Sequence, residues 1–226
     1  MHSRVDVWIA GIDVPDAAVG ALASLLDDEE RAMAARFHFD ADRRRCIVAR
    51  GALRTLLGRS LGRHARALRF VRGAQGKPAL EGGELEFNVS HSGDCVAIAM
   101  TDGSPVGVDA ECEKPMSDPL TLADHFFARE EAEFVKGAAT DHAAATFYSI
   151  WTAKESVIKA AGGGLSIDLS SFVVTPADCL TPVQNRSGSP ELDGWWVLAL
   201  PRIRGCHAAV AARGSNWTAV LHEFQS

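Results

Sequence analysis

The stretch LEFNVSHSGDCVAIAMTDGSPVGVDAE, Leu85 to Glu111, limits what this chain can fold into more than any other. It is rich in apolar and β-branched residues and is broken twice by turn chemistry, at Ser92-Gly93-Asp94 and at Asp102-Gly103-Ser104-Pro105. It reads as three short strands, about residues 84–89, 94–101 and 105–110, joined by hairpin turns.

Further strands are expected over residues 5–12 (VDVWIAGI), over 66–72, and in the tail from SSFVV, GWWVLAL, CHAAVAA and WTAVLHEF. Pro15 and Asp16 open a helical stretch, and Asp27-Asp28-Glu29-Glu30 supplies the acidic start that a second helix favours. Asp40 is read as the N-cap of a long helix through about Leu57, ended by Gly58 and Gly62. Helices are also expected over Leu120–Phe127 and from Arg129 to Val135. The strongest helical pattern runs from Asp141, as cap, to Ala161. Phe147, Trp151, Val157 and Ile158 contribute to its stripe, and Gly162-Gly163-Gly164 stop it. Gly73–Pro78 and Asn185–Pro190 read as loops. Each half offers one long helix and several strands, so the expected parts are 1–103 and 104–226, hinged near Gly103–Pro105.

Composition narrows the class. The chain has 226 residues, 47% hydrophobic and 23% charged, with a formal net charge of -6. That is an ordinary globular balance, and its sign disfavours nucleic-acid binding. No apolar run approaches the ~20 residues of a membrane helix. The N-terminus has only a short apolar run, broken by Asp13 and Pro15, and makes a poor signal peptide. The five cysteines are scattered and form no C-x-x-C. This argues against a disulfide framework or a zinc site and suits a reducing cytoplasm.

The chemistry begins after Val106-Gly107-Val108. Asp109 and Glu111 follow, two residues apart, and so share one face of an extended chain. Carboxylates that close repel and raise each other's pKa. In WTAKESVIKAAGGG, Trp151, Glu155 and Lys159 share a helix face at i, i+4, i+8, with Lys154 on its flank. Each feature alone has an ordinary explanation. Glu155–Lys159 is a surface pair, Asp109 and Glu111 are a solvated strand end, His91 is a turn histidine, and Lys77 is a solvated loop lysine. Together, three acids offering only oxygen ligands suit Mg²⁺, whose charge would relieve their repulsion. Neighbouring lysines suit phosphate oxygens. Ser90 and His91 would join them as phosphate contacts.

Taken in order and spacing, GKP, FNVSHSG, VGVDAE, FF-x-x-E-E and W-x-x-KES-x-x-KA-x-GGGL resemble the 4′-phosphopantetheinyl transferases. The match is closer to the long, two-lobed, monomeric type that acts on peptide- and polyketide-synthase carrier domains, and it covers about residues 35–172. The resemblance implies an α+β fold of two similar lobes related by a pseudo-two-fold axis. Each lobe would be a small, mostly antiparallel sheet packed on a long helix, with the site in the cleft between them. It implies transfer of 4′-phosphopantetheine from coenzyme A to a serine of an acyl or peptidyl carrier protein, with release of adenosine 3′,5′-bisphosphate.

Residue by residue, Asp109, Glu111 and Glu155 match the family's magnesium-binding acids, with Mn²⁺ the alternative ion. Glu155 also matches the proposed general base. Lys154 and Lys159 match lysines near the coenzyme A diphosphate, while Ser90 and His91 match contacts to its phosphates. Lys77 and Arg45 match basic positions of the phosphate or adenine site, and Trp151 one that packs beneath it. One departure stands out. Some relatives carry lysines for the 3′-phosphate where this chain has Glu30, Arg31, Ala32 and Met33. Arg31, Arg36 or the Arg43–Arg45 cluster are the candidate substitutes. Carrier docking is expected around Phe126-Phe127, within Leu120–Phe127. Two other readings stay open: a different Mg²⁺-dependent phosphoryl-transfer enzyme acting on a nucleotide diphosphate, and a non-catalytic coenzyme A- or carrier-binding module.

Overall fold

The computed structural model describes residues 3–73, 75–116 and 118–225. Ala74 of the expected loop and Met1 and His2 of the N-terminus lie outside the described residues. The first half runs β1 (Ser3–Gly11), α1 (Asp16–Leu25), α2 (Asp28–Ala35), α3 (Asp40–Leu61), β2 (Phe70–Arg72), β3 (Pro78–Leu80), β4 (Glu86–Ser92) and β5 (Cys95–Thr101). The second runs β6 (Val106–Cys112), α4 (Pro119–Phe126), α5 (Arg129–Gly137), α6 (Ala143–Ala161), β7 (Phe172–Val173), β8 (Thr181–Pro182), β9 (Gln184–Asn185), β10 (Trp195–Ile203), β11 (Cys206–Arg213) and β12 (Trp217–Glu223).

One plan is used twice. In each half a strand leads into two short helices and one long helix, and then into an antiparallel hairpin. The first strand pairs antiparallel with the hairpin's second strand, giving the orders β1-β5-β4 and β6-β11-β10. The fold is α+β with two lobes, as expected. The tail departs from a division at 103/104, because β12 returns to pair parallel with β1 and so completes the N-terminal sheet.

The two sheets stack face to face between the long helices. Alternation along β5 explains how. Val96, Ile98 and Met100 join the core under α3, while Cys95, Ala97 and Ala99 pack against Val106, Val108 and Ala110 of the other sheet. Covered on both faces, β5 is buried at every residue, which is why it reads as an unbroken apolar run. On β6 the same alternation sends Val106, Val108 and Ala110 toward the N-terminal sheet and turns Gly107, Asp109 and Glu111 toward α6. A Cβ on Gly107 would collide with Ser156 O and Ala160 N and lie 2.9 Å from Ala160 Cα. Strand and helix therefore meet backbone to backbone, an approach only glycine allows.

Helix ends correct two expectations. α3 starts at Asp40 itself, behind Phe39, and continues past Gly58 to Leu61, where left-handed Gly62 (φ 62°) ends it. α6 starts at Ala143 with His142 at its cap position, one residue beyond Asp141. Asp27 does form the reciprocal capping box with Glu30 at the start of α2. The cysteines also differ from expectation. Cys112 and Cys206 face each other in the β6–β11 register and form a disulfide, Cα–Cα 3.8 Å. Strand pairing between residues 94 apart in sequence leaves no trace in spacing. Cys46, Cys95 and Cys179 are free.

Candidate active site

α6 is the spine of the site. Residues 152–154, 156–158 and 160 are buried, whereas Trp151, Glu155 and Lys159 are half-buried along one stripe. That stripe faces the carboxylates of β6. Ser90, His91, Asp109, Glu111, Glu155 and Lys159 line a single cleft of about 360 Å³, floored by Val89 and Trp151. Trp151 packs on Phe147, centroids 5.8 Å apart, as a residue beneath the site should.

Hydrogen bonds fix the cleft's polar groups. Lys159 Nζ donates to Asp109 Oδ1 at 2.6 Å and to Ser90 Oγ at 3.0 Å. Ser90 Oγ donates in turn to Asp109 Oδ1 at 2.8 Å, and Ser92 Oγ donates to Glu111 Oε2 at 2.7 Å. Asp109 is only 2% exposed, yet its Oδ2 is buried without a hydrogen-bond partner. Burial pushes the pKa of Glu155 up, and the Asp109 carboxylate adds to it. Burial also raises Glu111, with Ser92 pulling back and Asp109 pushing further. Three acids thus share one field. Among the described residues, however, no three His, Cys, Asp or Glu side chains are drawn together as a finished metal cluster.

Two further cavities, one smaller and one larger, open off the acid cleft. The first, about 290 Å³, lies between α3 and β4, with Arg45, Cys46, Arg50, Asn88 and His91 among its walls. The second, about 530 Å³, runs past Lys77, Phe126, Glu155, Lys159 and Asp168. His91 borders both the first cavity and the acid cleft; Glu155 and Lys159 border both the cleft and the second cavity. Partial burial lowers the His91 pKa, helped by the cationic Arg45, Lys159 and Arg50.

The remaining expected residues divide. Arg45 walls the first cavity and is anchored through Nε to Gly93 O (2.8 Å) and through one terminal nitrogen to Asp42 (2.6 Å). Lys77 reaches across the lobes to donate to Val106 O at 3.0 Å and Ala160 O at 3.4 Å, and burial lowers its pKa. Lys154 does not reach the cleft. It is fully buried, 2.7 Å from Glu131 Oε2, with Nζ donating to Leu169 O (2.8 Å) and Phe172 O (2.5 Å). One residue from Glu155 is about 100° around a helix, so adjacency in sequence placed it on the wrong face. Burial presses its pKa down and that of Glu131 up, each partly offset by the partner.

The docking expectation is also split. Phe127 is buried, and Phe126 stacks edge-on to Trp151 at 5.7 Å, so of that segment's large apolar side chains only Leu120 is exposed. Of the candidate 3′-phosphate residues, Arg31 and Arg43 are spent on Asp28 and Asp40, and Arg44 on Asp16 and Val14 O. Arg50, unforeseen, lines the first cavity instead. Its signal was present: 42, 45, 46, 49, 50 and 53 fall on one helical stripe.

Comparison with known proteins decides the family. Residues 105–210 match the model of the 4′-phosphopantetheinyl transferase superfamily, and residues 16–103 that of the 4′-phosphopantetheinyl transferase N-terminal region. The 4′-phosphopantetheinyl transferase HetI of Nostoc sp. is 32% identical over 223 residues, covering 96% of this chain and 91% of that protein. The chain belongs to the 4′-phosphopantetheinyl transferase superfamily. The 4′-phosphopantetheinyl transferase Sfp of Bacillus subtilis is 34% identical over 152 residues, 67% of this transferase and 66% of Sfp. AcpT of Salmonella typhi is 39% identical over 95 residues, 42% and 50% of the respective chains. This transferase therefore moves 4′-phosphopantetheine from coenzyme A to carrier proteins. No described helix is long and apolar enough to cross a membrane.

Proposed function

We propose that the transferase is Mg²⁺-dependent and works as a cytoplasmic monomer, with Asp109, Glu111 and Glu155 as the ion's ligands. The fit rests on donor chemistry. All three offer carboxylate oxygens, the set a hard divalent cation prefers. The buried, partnerless Oδ2 of Asp109 is the kind of atom that a cation completes. When bound, Mg²⁺ would offset charge on the diphosphate and its leaving group.

The contiguity of the three chambers carries the assignment of coenzyme A. A nucleotide end fits the basic first cavity at Arg45, Arg50 and His91; the diphosphate fits the acid cleft; the pantetheine arm fits the second cavity. Lys159 sits where charge develops and stabilises it electrostatically. Glu155, with its raised pKa, accepts the proton of the attacking carrier serine directly or through one water. Fixing both large substrates in line supplies much of the remaining rate. Trp151 supports the acids from below. Lys77 holds the lobes in register, and Lys154 fastens α6 to the segment that walls the second cavity.

Release of adenosine 3′,5′-bisphosphate tests this. It should require coenzyme A, Mg²⁺ and an apo carrier together, and Glu155→Gln should abolish it while coenzyme A affinity survives. Release without carrier, or an active Glu155→Gln variant, would refute the assignment.

A further inference from the structure

β4 and β6 are the facing edge strands of the two sheets, yet they do not pair through their backbones. Side chains bridge them. Asn88 Oδ1 accepts from the backbone N–H of Val108 at 2.9 Å, Ser90 Oγ from Ala110 at 3.3 Å, and Ser92 Oγ from Cys112 at 3.1 Å. The offset of 20 residues is kept on all three rungs. Alternate side chains of one strand therefore meet alternate N–H groups of the other, strands running parallel.

The same hydroxyls do a second job. Each serine donates its proton to the carboxylate one residue before its backbone partner: Ser90 to Asp109, Ser92 to Glu111. On the Asn88 rung that preceding residue is Gly107, which has no side chain. Ser90, with Lys159 and Ala110 N–H as its two donors, has its one proton and both lone pairs committed.

We propose that Asn88, Ser90 and Ser92 form a side-chain ladder that joins the two lobes, and that Ser92 is the positioning residue that aims Glu111 at the divalent ion. The inference rests on the metal reading given above. Main-chain pairing would draw the strands to about 4.8 Å; an interposed side chain spaces them further and keeps the acids beside an open cleft. A ligating carboxylate whose orientation is fixed by a hydroxyl loses metal affinity when the hydroxyl is removed, typically by 10–100-fold.

The test is a Mn²⁺ titration followed by water-proton relaxation, with coenzyme A present, on wild type, Ser92→Ala and Ser92→Thr. Ser92→Ala should bind Mn²⁺ about tenfold more weakly or worse, and Ser92→Thr, which keeps the hydroxyl, should restore binding. Amide hydrogen exchange on the wild type is the second readout. Val108, Ala110 and Cys112 N–H should be protected although β6 has no backbone neighbour on that side, and Ser92→Ala should release Cys112. Unchanged Mn²⁺ affinity in Ser92→Ala overturns the positioning role of Ser92 and leaves the metal reading standing. Fast exchange at the three amides of the wild type overturns the ladder, even if the alanine variant fails to fold. A wild type that binds no divalent ion overturns the metal reading, and this inference with it.

Discussion

Lys159 Nζ lies 2.6 Å from Asp109 Oδ1, so a cation of α6 is held against an acid of β6 at the mouth of the cleft. Removing it leaves a buried carboxylate uncompensated and takes a positive charge from the diphosphate. Lys159→Ala should lower kcat by about 10²-fold, the usual cost of losing one stabilising donor at a developing charge. Steady-state kinetics at saturating coenzyme A would measure it, and an unchanged kcat would move Lys159 out of the mechanism.

Lys154 should behave differently from its neighbour. Lys154→Met leaves Glu131 buried without its cation, which costs about 3–5 kcal/mol. The double variant Lys154→Met, Glu131→Gln removes both charges and should recover much of that loss. Denaturant unfolding gives the stabilities, and the double variant should retain transferase activity. Loss of activity in a stable double variant would return Lys154 to a direct role.

Much of this could be read from the sequence, and the failures share causes. The β4–β5 hairpin and the stripe of α6 declared themselves through turn chemistry and period-3.6 patterning, but the turn at 102–105, expected to close a second hairpin, instead carries the chain from β5 into the other sheet, where β6 pairs with β11. The acids were legible because i, i+2 on β6 and i, i+4 on α6 fix a face. What pairs with what was not legible. The return of β12 to β1, the Cys112–Cys206 contact and the ladder from β4 to β6 join residues 94 or more apart, or strand edges, that no periodicity marks. Lys154 was misjudged by adjacency, and Ser92 was overlooked because it looked like a turn residue.

Glu155 should cost the protein stability. Its pKa is raised by burial and then by Asp109. A carboxyl whose folded pKa exceeds its unfolded one stabilises below the unfolded value and loses that contribution as pH rises through the folded value. Without divalent ions, Glu155→Gln should therefore melt above wild type at pH 7. The gain should fade as pH falls toward the ordinary glutamate value of 4.5. Differential scanning calorimetry from pH 4.5 to 8 in chelator would record it; a variant that melts lower throughout would contradict the raised pKa.

Gly107 permits the contact that brings Asp109 under α6. Gly107→Ala drives a methyl into the Ser156 and Ala160 backbone, and overpacking of this kind costs about 1–3 kcal/mol or more. The Tm should fall, and the activity of the surviving folded fraction should fall with it as Asp109 shifts. An alanine variant as stable and active as wild type would contradict the close approach.

Arg50 and His91 border the first cavity. Arg50→Ala should raise KM for coenzyme A about 10-fold or more, as loss of a charge-assisted hydrogen bond does. It should barely change KM for dephospho-coenzyme A, which lacks the 3′-phosphate. Equal effects on both substrates would remove Arg50 from the 3′-phosphate site.

The most direct measurement is the intact mass of an apo carrier domain after incubation with this protein, coenzyme A and Mg²⁺, beside the Glu155→Gln variant. The wild type should add the mass of one phosphopantetheine to the carrier serine; the variant should bind coenzyme A and add nothing. A carrier left unmodified by the wild type across several carrier types, or modified equally by the variant, would contradict three acids acting together in this cleft.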